Sequence, residues 1–360
     1  MKILVIYATA GAGHKKAAEA IFHGLRTQGR HDVRLIDALE YTNPIFKKTY
    51  PSLYAFLITR LPWAWGFFFG LLDLPWMQPL IRVLRRVSNG INAAALEAFL
   101  IREQFDAVIA TQFLGAEVCA HLKRAGKIKS KFICVVTDFD VHRIWVNAGT
   151  DIYTAACDYT RTKLISLGAA PGAVVVTGIP TDAKFSRPPD IAALKEKLGL
   201  REGMLTVLIA TGSFGMGPLE ELMKQLGKYQ LLIVCGHNRG LYERLKSAAG
   251  PHTHVLGLVD NMDELMSVSN VMVTKPGGLS IAEALVKGLP MIFFSAIPGQ
   301  ETHNIEVLST YGLSQGQHRL SRIADTISEW ESHPEIMDKL RERSRTLSKP
   351  NAVDDIMALL

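Results

Sequence analysis

Short β-branched runs alternate with helical patterns along most of the chain. Ile3–Tyr7 reads as a strand, and His14–Arg26 carries Ala17, Ala18, Ile21 and Leu25 at helical spacing. Val33–Ile36, Phe105–Ala110, Phe132–Val136, Ile152–Ala155 and Val174–Val176 read as further strands. Runs apolar on both faces and separated by crossovers predict a parallel sheet covered by helices. The rhythm breaks at Ser186-Arg187-Pro188-Pro189 and restarts. Leu205–Ala210, Leu231–Val234, Val255–Leu258, Val271–Thr274 and Met291–Phe294 then predict a second parallel sheet, with helical stretches such as Gly240–Ala249 and Leu279–Lys287 between them. The expectation is α/β: two doubly wound, Rossmann-like domains facing a central cleft, over residues 1–185 and 186–320. Residues 321–360 read as helices, free to pack back on the first domain.

Residues 44–101 break the alternation. Tyr54–Trp76 is dense in Leu, Phe and Trp, but Arg60, Pro62, Asp73 and Pro75 interrupt it, which argues against a spanning helix. Two readings stay open. Trp63, Trp65, Phe67, Phe68 and Phe69 could fill a core between helices. Alternatively, they form an interfacial patch, with Lys47, Lys48, Arg60, Arg82, Arg85 and Arg86 meeting anionic head groups at about 1 kcal/mol per basic residue. Three of the five tryptophans fall in this window, which favours the patch.

The length of 360 residues fits two domains. The four cysteines form no CxxC pair, and Cys134 and Cys235 lie in apolar strands, so reduced thiols and a cytosolic compartment are expected. MKILVIYA leads straight into a glycine turn and lacks the longer apolar core of an export signal. The net charge of +6 permits an anionic surface without selecting it. The basic residues cluster beside aromatics rather than along a polar groove, so no nucleic-acid partner is expected.

Three glycine turns follow strands and open helices: Thr9–His14, Thr211–Gly217 and Lys275–Ser280. Backbone amides there can approach an anion such as a phosphate, and together the turns point to a ligand beyond the strands' carboxyl ends. Gly11-Ala12-Gly13 with Asp37 resembles a dinucleotide fingerprint, but Lys16 occupies the third glycine position. His14 stands at the start of a helix whose dipole lowers an imidazole's pKa; it is either a neutral general base or a lining of the turn. Asp138 and Asp140 could form a metal-binding pair. A helix N-terminus can neutralise a leaving diphosphate without metal, and a metal-free, cofactor-free site is the expectation, with Asp138 orienting the acceptor or supporting the histidine. His252 and His254 have no partner cluster and read as a solvated strand start. Gln300 and Glu301, after a strand, can grip a sugar's vicinal hydroxyls, and Glu283 is placed for a ribose diol.

Four stretches together resemble the monogalactosyldiacylglycerol synthase and processive diacylglycerol glucosyltransferase family: Ala10–His14, Val136–Gly149, Gly212–Pro218 and Asn261–Asn304. The resemblance implies a GT-B fold of the glycosyltransferase family 28 kind. It also implies a UDP-glucose or UDP-galactose donor, a diacylglycerol acceptor, inversion at the anomeric carbon and monotopic association with the cytoplasmic face of the membrane. It places Gly13, Gly212, Ser213, Pro276, Gly277, Gly278 and Leu279 along the donor, Met262 at the uracil and Glu283 at the ribose. Gln300, Glu301 and Asn304 would lie at the sugar, and His14 at the acceptor hydroxyl. The chain departs from the family after Gly178-Ile179-Pro180, where Thr181-Asp182 replaces an apolar residue and an arginine. Transfer of N-acetylglucosamine to a lipid intermediate, a UDP-sugar epimerase of the same architecture and a non-catalytic membrane binder are the rival readings.

Overall fold

The computed structural model describes residues 1–9, 11–316 and 319–360, without the side chain of Arg82. Ala10, of the first glycine turn, lies outside the described residues. The chain forms two compact units: Met1–Asp182 with Ile297–His303 and Asn351–Leu360, and Ala183–Ala296 with Asn304–Pro350.

In the first unit, β1 (Lys2–Tyr7), β2 (Asp32–Asp37), β3 (Ala107–Ala110), β4 (Lys131–Val135), β5 (Ile152–Ala155) and β6 (Val174–Val176) form one parallel sheet in the order β2-β1-β3-β4-β5-β6. Alternation along β1 sends Leu4 and Ile6 into one apolar cluster, and Ile3 and Val5 into another on the opposite face. The helices are α1 (Ala12–Thr27), α2 (Pro44–Arg60), α3 (Pro62–Asp73), α4 (Gln78–Asn92), α5 (Ala94–Glu103), α6 (Phe113–Arg124) and α7 (Asp158–Ser166). Because β1 has β2 on one side and β3 on the other, the connections leaving β1 and β3 diverge and open a crevice at their carboxyl ends.

The second unit carries β7 (Thr206–Ala210), β8 (Gln230–Val234), β9 (Thr253–Leu256), β10 (Val271–Thr274) and β11 (Met291–Phe293), all parallel, in the order β11-β10-β7-β8-β9. Its helices are α8 (Ile191–Lys197), α9 (Leu219–Gln225), α10 (Arg239–Ala248), α11 (Met262–Val268), α12 (Gly278–Lys287), α14 (Leu320–Ser332) and α15 (Pro334–Leu347), while α13 (Gln300–Thr310) starts in the segment held by the first unit. Of the terminal helices expected to pack back on the first domain, α14 and α15 instead seat Ile323, Ile327, Trp330 and Met337 in the second unit's core. Only α16 (Ala352–Met357) joins the first unit. It lies on α1, where Gly24 leaves room for Val353: a Cβ at that glycine would stand 2.5 Å from Val353 Cγ1.

The aromatic segment forms helices with almost no core of their own. α2 buries no residue and α3 buries only Ala64. Trp63 is 72% exposed, Phe67 63% and Phe68 52%, so these three do not fill a core. Along α4, Leu80, Val83, Leu84, Val87 and Ile91 are exposed at one helical stripe. Among the described residues no single helix is long and apolar enough to cross a membrane; α2 and α3 reach that length only together, across a 115° bend.

Candidate functional site

His14 sits in the first turn of α1, beyond the carboxyl end of β1. Its Nδ1 lies 2.9 Å from the Thr111 carbonyl oxygen, just past β3, and 2.8 Å from Thr137 Oγ1, just past β4. A carbonyl oxygen only accepts, so Nδ1 carries the proton and Nε2 keeps its lone pair. The Thr111 hydroxyl donates in turn to the His14 carbonyl at 2.9 Å. Burial pushes the imidazole pKa down from 6.5 to about 4, with the Thr111 carbonyl pulling partly the other way. Desolvation is thus the main cause of the neutrality expected from the helix dipole.

This ring lines a cavity of about 90 Å³ with Tyr50, Tyr54, Trp65, Phe69 and Asp138. Helical geometry sorts the aromatic residues: Trp63 and Trp65 are two apart on α3, about 200° around the axis, so one is exposed and the other faces the cavity. Burial pushes the Tyr50 phenol up to about 12, and the Tyr54 phenol up as well.

The acidic pair splits into two roles. Asp138, 6% exposed, accepts from Gln300 Nε2 at both carboxylate oxygens, at 3.1 and 2.9 Å. Asp140 faces His303 Nδ1 at 3.2 Å and Lys163 at 3.5 Å. Burial pushes the Asp140 carboxyl up, but His303 and Lys163 outweigh it and leave it below its ordinary value. His142 accepts from Ile144 N at Nδ1 (3.1 Å), so its Nε2 donates to the Phe69 carbonyl at 2.9 Å, tying α3 to the loop after β4. Asp73, at the end of α3, accepts from Arg143 N at 2.9 Å in the same clasp.

The second unit brings two glycine turns to adjacent strands, since β7 pairs with β10. After β7, Gly215 has φ 56° and a Cβ there would lie 2.0 Å from the Cys235 carbonyl oxygen. Gly236 has φ 57° and meets the Ser213 carbonyl in the same way, at 2.2 Å. Only glycine fits either position, and His237 N donates to Ser213 O at 2.8 Å to lock the two turns. The buried Thr211 hydroxyl, at the head of this turn, has no hydrogen-bond partner among the described residues. After β10, α12 opens at Gly277 without a side-chain cap or an acidic residue in its first turn, leaving its amides to an anion. Asn304, wholly buried, donates to the Pro276 carbonyl at 3.0 Å and shapes this loop. Leu279 and Glu283 lie in the first two turns of α12, and Met262 opens α11.

Several residues singled out in the sequence have other engagements. Asp37 accepts from Thr9 N at 3.3 Å, from the Thr9 hydroxyl and from Leu39 N at 2.9 Å, so its carboxylate closes the β1 turn rather than awaiting a ribose. Glu301 accepts from Ile297 N at 2.7 Å and, like Gln300, belongs to the first unit. Arg85 does not face outward: its guanidinium meets Glu117 at 2.6 Å, with the side chains 20% and 18% exposed. Arg86 is exposed, Gly13 lies in the first turn of α1, and the Arg82 side chain lies outside the described part of the structure. Thr111, Thr137 and His303 were not anticipated as site residues. Among the described residues no cluster of three or more His, Cys, Asp or Glu side chains could hold a metal.

Residues 14–181 match the family model for monogalactosyldiacylglycerol (MGDG) synthase, and residues 206–332 that for the glycosyltransferase family 28 C-terminal domain. The processive diacylglycerol beta-glucosyltransferase of Bacillus pumilus is 28% identical, over 99% of this chain and 93% of that protein. A probable chloroplastic monogalactosyldiacylglycerol synthase of Nicotiana tabacum is 27% identical, over 99% of this chain and 69% of its own. Among solved structures, Acinetobacter baumannii MurG superposes with a TM-score of 0.62 at 16% identity, covering 99% of this chain and 98% of its own; the shared fold is GT-B.

Proposed function

We propose that this chain, which joins a monogalactosyldiacylglycerol synthase region to a glycosyltransferase family 28 C-terminal domain, is an inverting transferase that moves a hexose from a UDP-sugar to the hydroxyl of diacylglycerol. The observation that carries this reading beyond the family matches is His14: neutral, with Nε2 free to accept, beside a small cavity walled by aromatic helices whose outer faces are apolar and exposed. A base of that kind suits an alcohol, and an exposed apolar surface suits an acceptor that resides in a bilayer.

In this reading the lipid's hydroxyl oxygen attacks the anomeric carbon as His14 Nε2 takes its proton. The bond from that carbon to the β-phosphate oxygen breaks in the same displacement, and UDP leaves with the electron pair. The amide of Gly278 and the N-terminus of α12 are assigned to the charge growing on the leaving phosphate, while Gly277, whose own N–H donates to the Lys275 carbonyl at 2.9 Å, lets the backbone approach it; preorganised donors of this type contribute about 3–4 kcal/mol each. Ser213 and the Thr211 hydroxyl support the same diphosphate, Glu283 takes the ribose diol, and the backbone at Met262 meets the uracil. Gln300 has two duties, steadying Asp138 and meeting the sugar. No metal is invoked, because the helix N-terminus supplies the neutralising dipole. Trp63, Phe67, Phe68 and the exposed stripe of α4 would rest in the head-group region of an anionic cytoplasmic leaflet, with Arg86 at its surface.

The test is UDP release from a panel of UDP-sugars, with and without diacylglycerol in anionic vesicles. Release that needs both UDP-glucose or UDP-galactose and the lipid is the expected result. Release from donor alone would overturn the transferase in favour of an epimerase or hydrolase.

A further inference from the structure

Trp65 has chemistry that the transfer step leaves unused. Its ring lines the small cavity beside His14, yet its indole Nε1 is buried and has no hydrogen-bond partner among the described residues. Tyr54 meets the ring edge-on at a centroid distance of 5.2 Å, and Phe69 packs at 5.9 Å, so the indole is held between aromatic rings. Buried donors without partners are rare in native proteins, and one on the wall of a reaction cavity points to an acceptor that arrives with the ligand. At about 90 Å³ the cavity is well below the 300–1,000 Å³ or so that encloses a drug-sized ligand. It suits the reacting end of a lipid and excludes its chains. In a diacylglycerol that end carries, within one or two carbons of the hydroxyl, ester carbonyls that accept hydrogen bonds and cannot donate them.

Resting on the functional reading above, we propose that the Trp65 indole N–H donates to an ester carbonyl of the acceptor, making Trp65 the residue that tells an ester-linked glycerolipid from an ether-linked one. A site built to hydrogen-bond a substrate group discriminates against analogues lacking it, because its own polar group is left unpaired. An ether oxygen is the weaker acceptor and lies one atom away from the carbonyl position.

The experiment compares kcat/KM for dioleoylglycerol and for its dialkyl ether analogue in identical vesicles. The wild type, Trp65→Phe and Trp65→His are measured with the same UDP-sugar. The wild type should favour the ester about tenfold or more. Trp65→Phe, which keeps an aromatic ring but loses the donor, should fall on the ester alone and treat both lipids within about twofold. Trp65→His, which keeps an N–H, should recover part of the preference. Equal use of both lipids by the wild type, or an undiminished preference in Trp65→Phe, would overturn the assignment. The wild-type comparison decides even if a variant folds poorly. Transfer to neither lipid would instead count against the functional reading itself.

Discussion

Acidification should leave transfer almost untouched over a range where an ordinary histidine would stop it. His14 must be neutral to take the acceptor's proton, and its pKa is held near 4 rather than 6.5. At pH 5.5 a group of pKa 4 is about 97% neutral, whereas one of pKa 6.5 is about 9% neutral, a roughly tenfold difference in competent enzyme. Turnover at saturating donor and lipid, read as UDP release, should therefore change less than about twofold between pH 7.5 and 5.5, then fall towards pH 4. The same ring makes folding acid-sensitive. Between pH 6.5 and 4 the unfolded chain binds a proton that the folded chain refuses, so this contribution is complete above about 6.5 and is lost as pH falls towards 4. At pH 5 the loss is about 2 kcal/mol, or about 1–2 after allowance for solvent screening at a residue that is only partly buried as a whole. His14→Gln should lose most turnover at every pH, by about 100- to 10,000-fold, and should unfold with a weaker dependence on acid. A half-fall in wild-type turnover near pH 6.5, or near wild-type turnover in His14→Gln, would refute the reasoning.

Four further outcomes follow from the geometry. Glu283→Ala should weaken UDP binding about tenfold by calorimetry while leaving turnover at saturating donor within a few fold. Arg85→Ala should lower stability by about 1–3 kcal/mol in a denaturant melt, because it strands Glu117, and should leave vesicle binding unchanged. Replacing Trp63, Phe67 and Phe68 together with Ala should reduce vesicle association at least tenfold in a flotation assay without a drop in melting temperature, since these side chains are already exposed. Gly215→Ala should cost several kcal/mol or abolish UDP binding, since its φ of 56° and the Cys235 carbonyl both exclude a Cβ.

The two sheets were legible because their strands are apolar on both faces. Ile152–Ala155, Val174–Val176 and Val271–Thr274 begin and end where the pattern puts them, and Phe105–Ala110 is two residues shorter because Phe105 packs against the core ahead of the sheet. His14 was visible from its place after a strand and a glycine turn. Its partners were not: Thr111 and Thr137 lie 97 and 123 residues away and meet it only through the order β1-β3-β4. The pairing of Gln300 with Asp138 spans 162 residues and is equally silent in the sequence. The direction of Arg85 was misread because clustered cations beside aromatics suggest a surface, while Glu117, on α6, draws this one inward. The opposite facing of Trp63 and Trp65 could have been found from helical spacing alone.

Neither compact unit is made from one continuous stretch of chain. A chain cut after Asp182 would lose the segment that supplies Gln300 to Asp138 and His303 to Asp140, together with the α16 cover over α1. The first unit expressed by itself would keep its sheet and His14 but take Gln300 from Asp138 and His303 from Asp140, and leave an apolar helix face bare. Dissecting this protein into halves therefore calls for grafting residues 297–303 and 351–360 back onto the N-terminal piece, and a circularly permuted chain would be a safer starting point than a truncation.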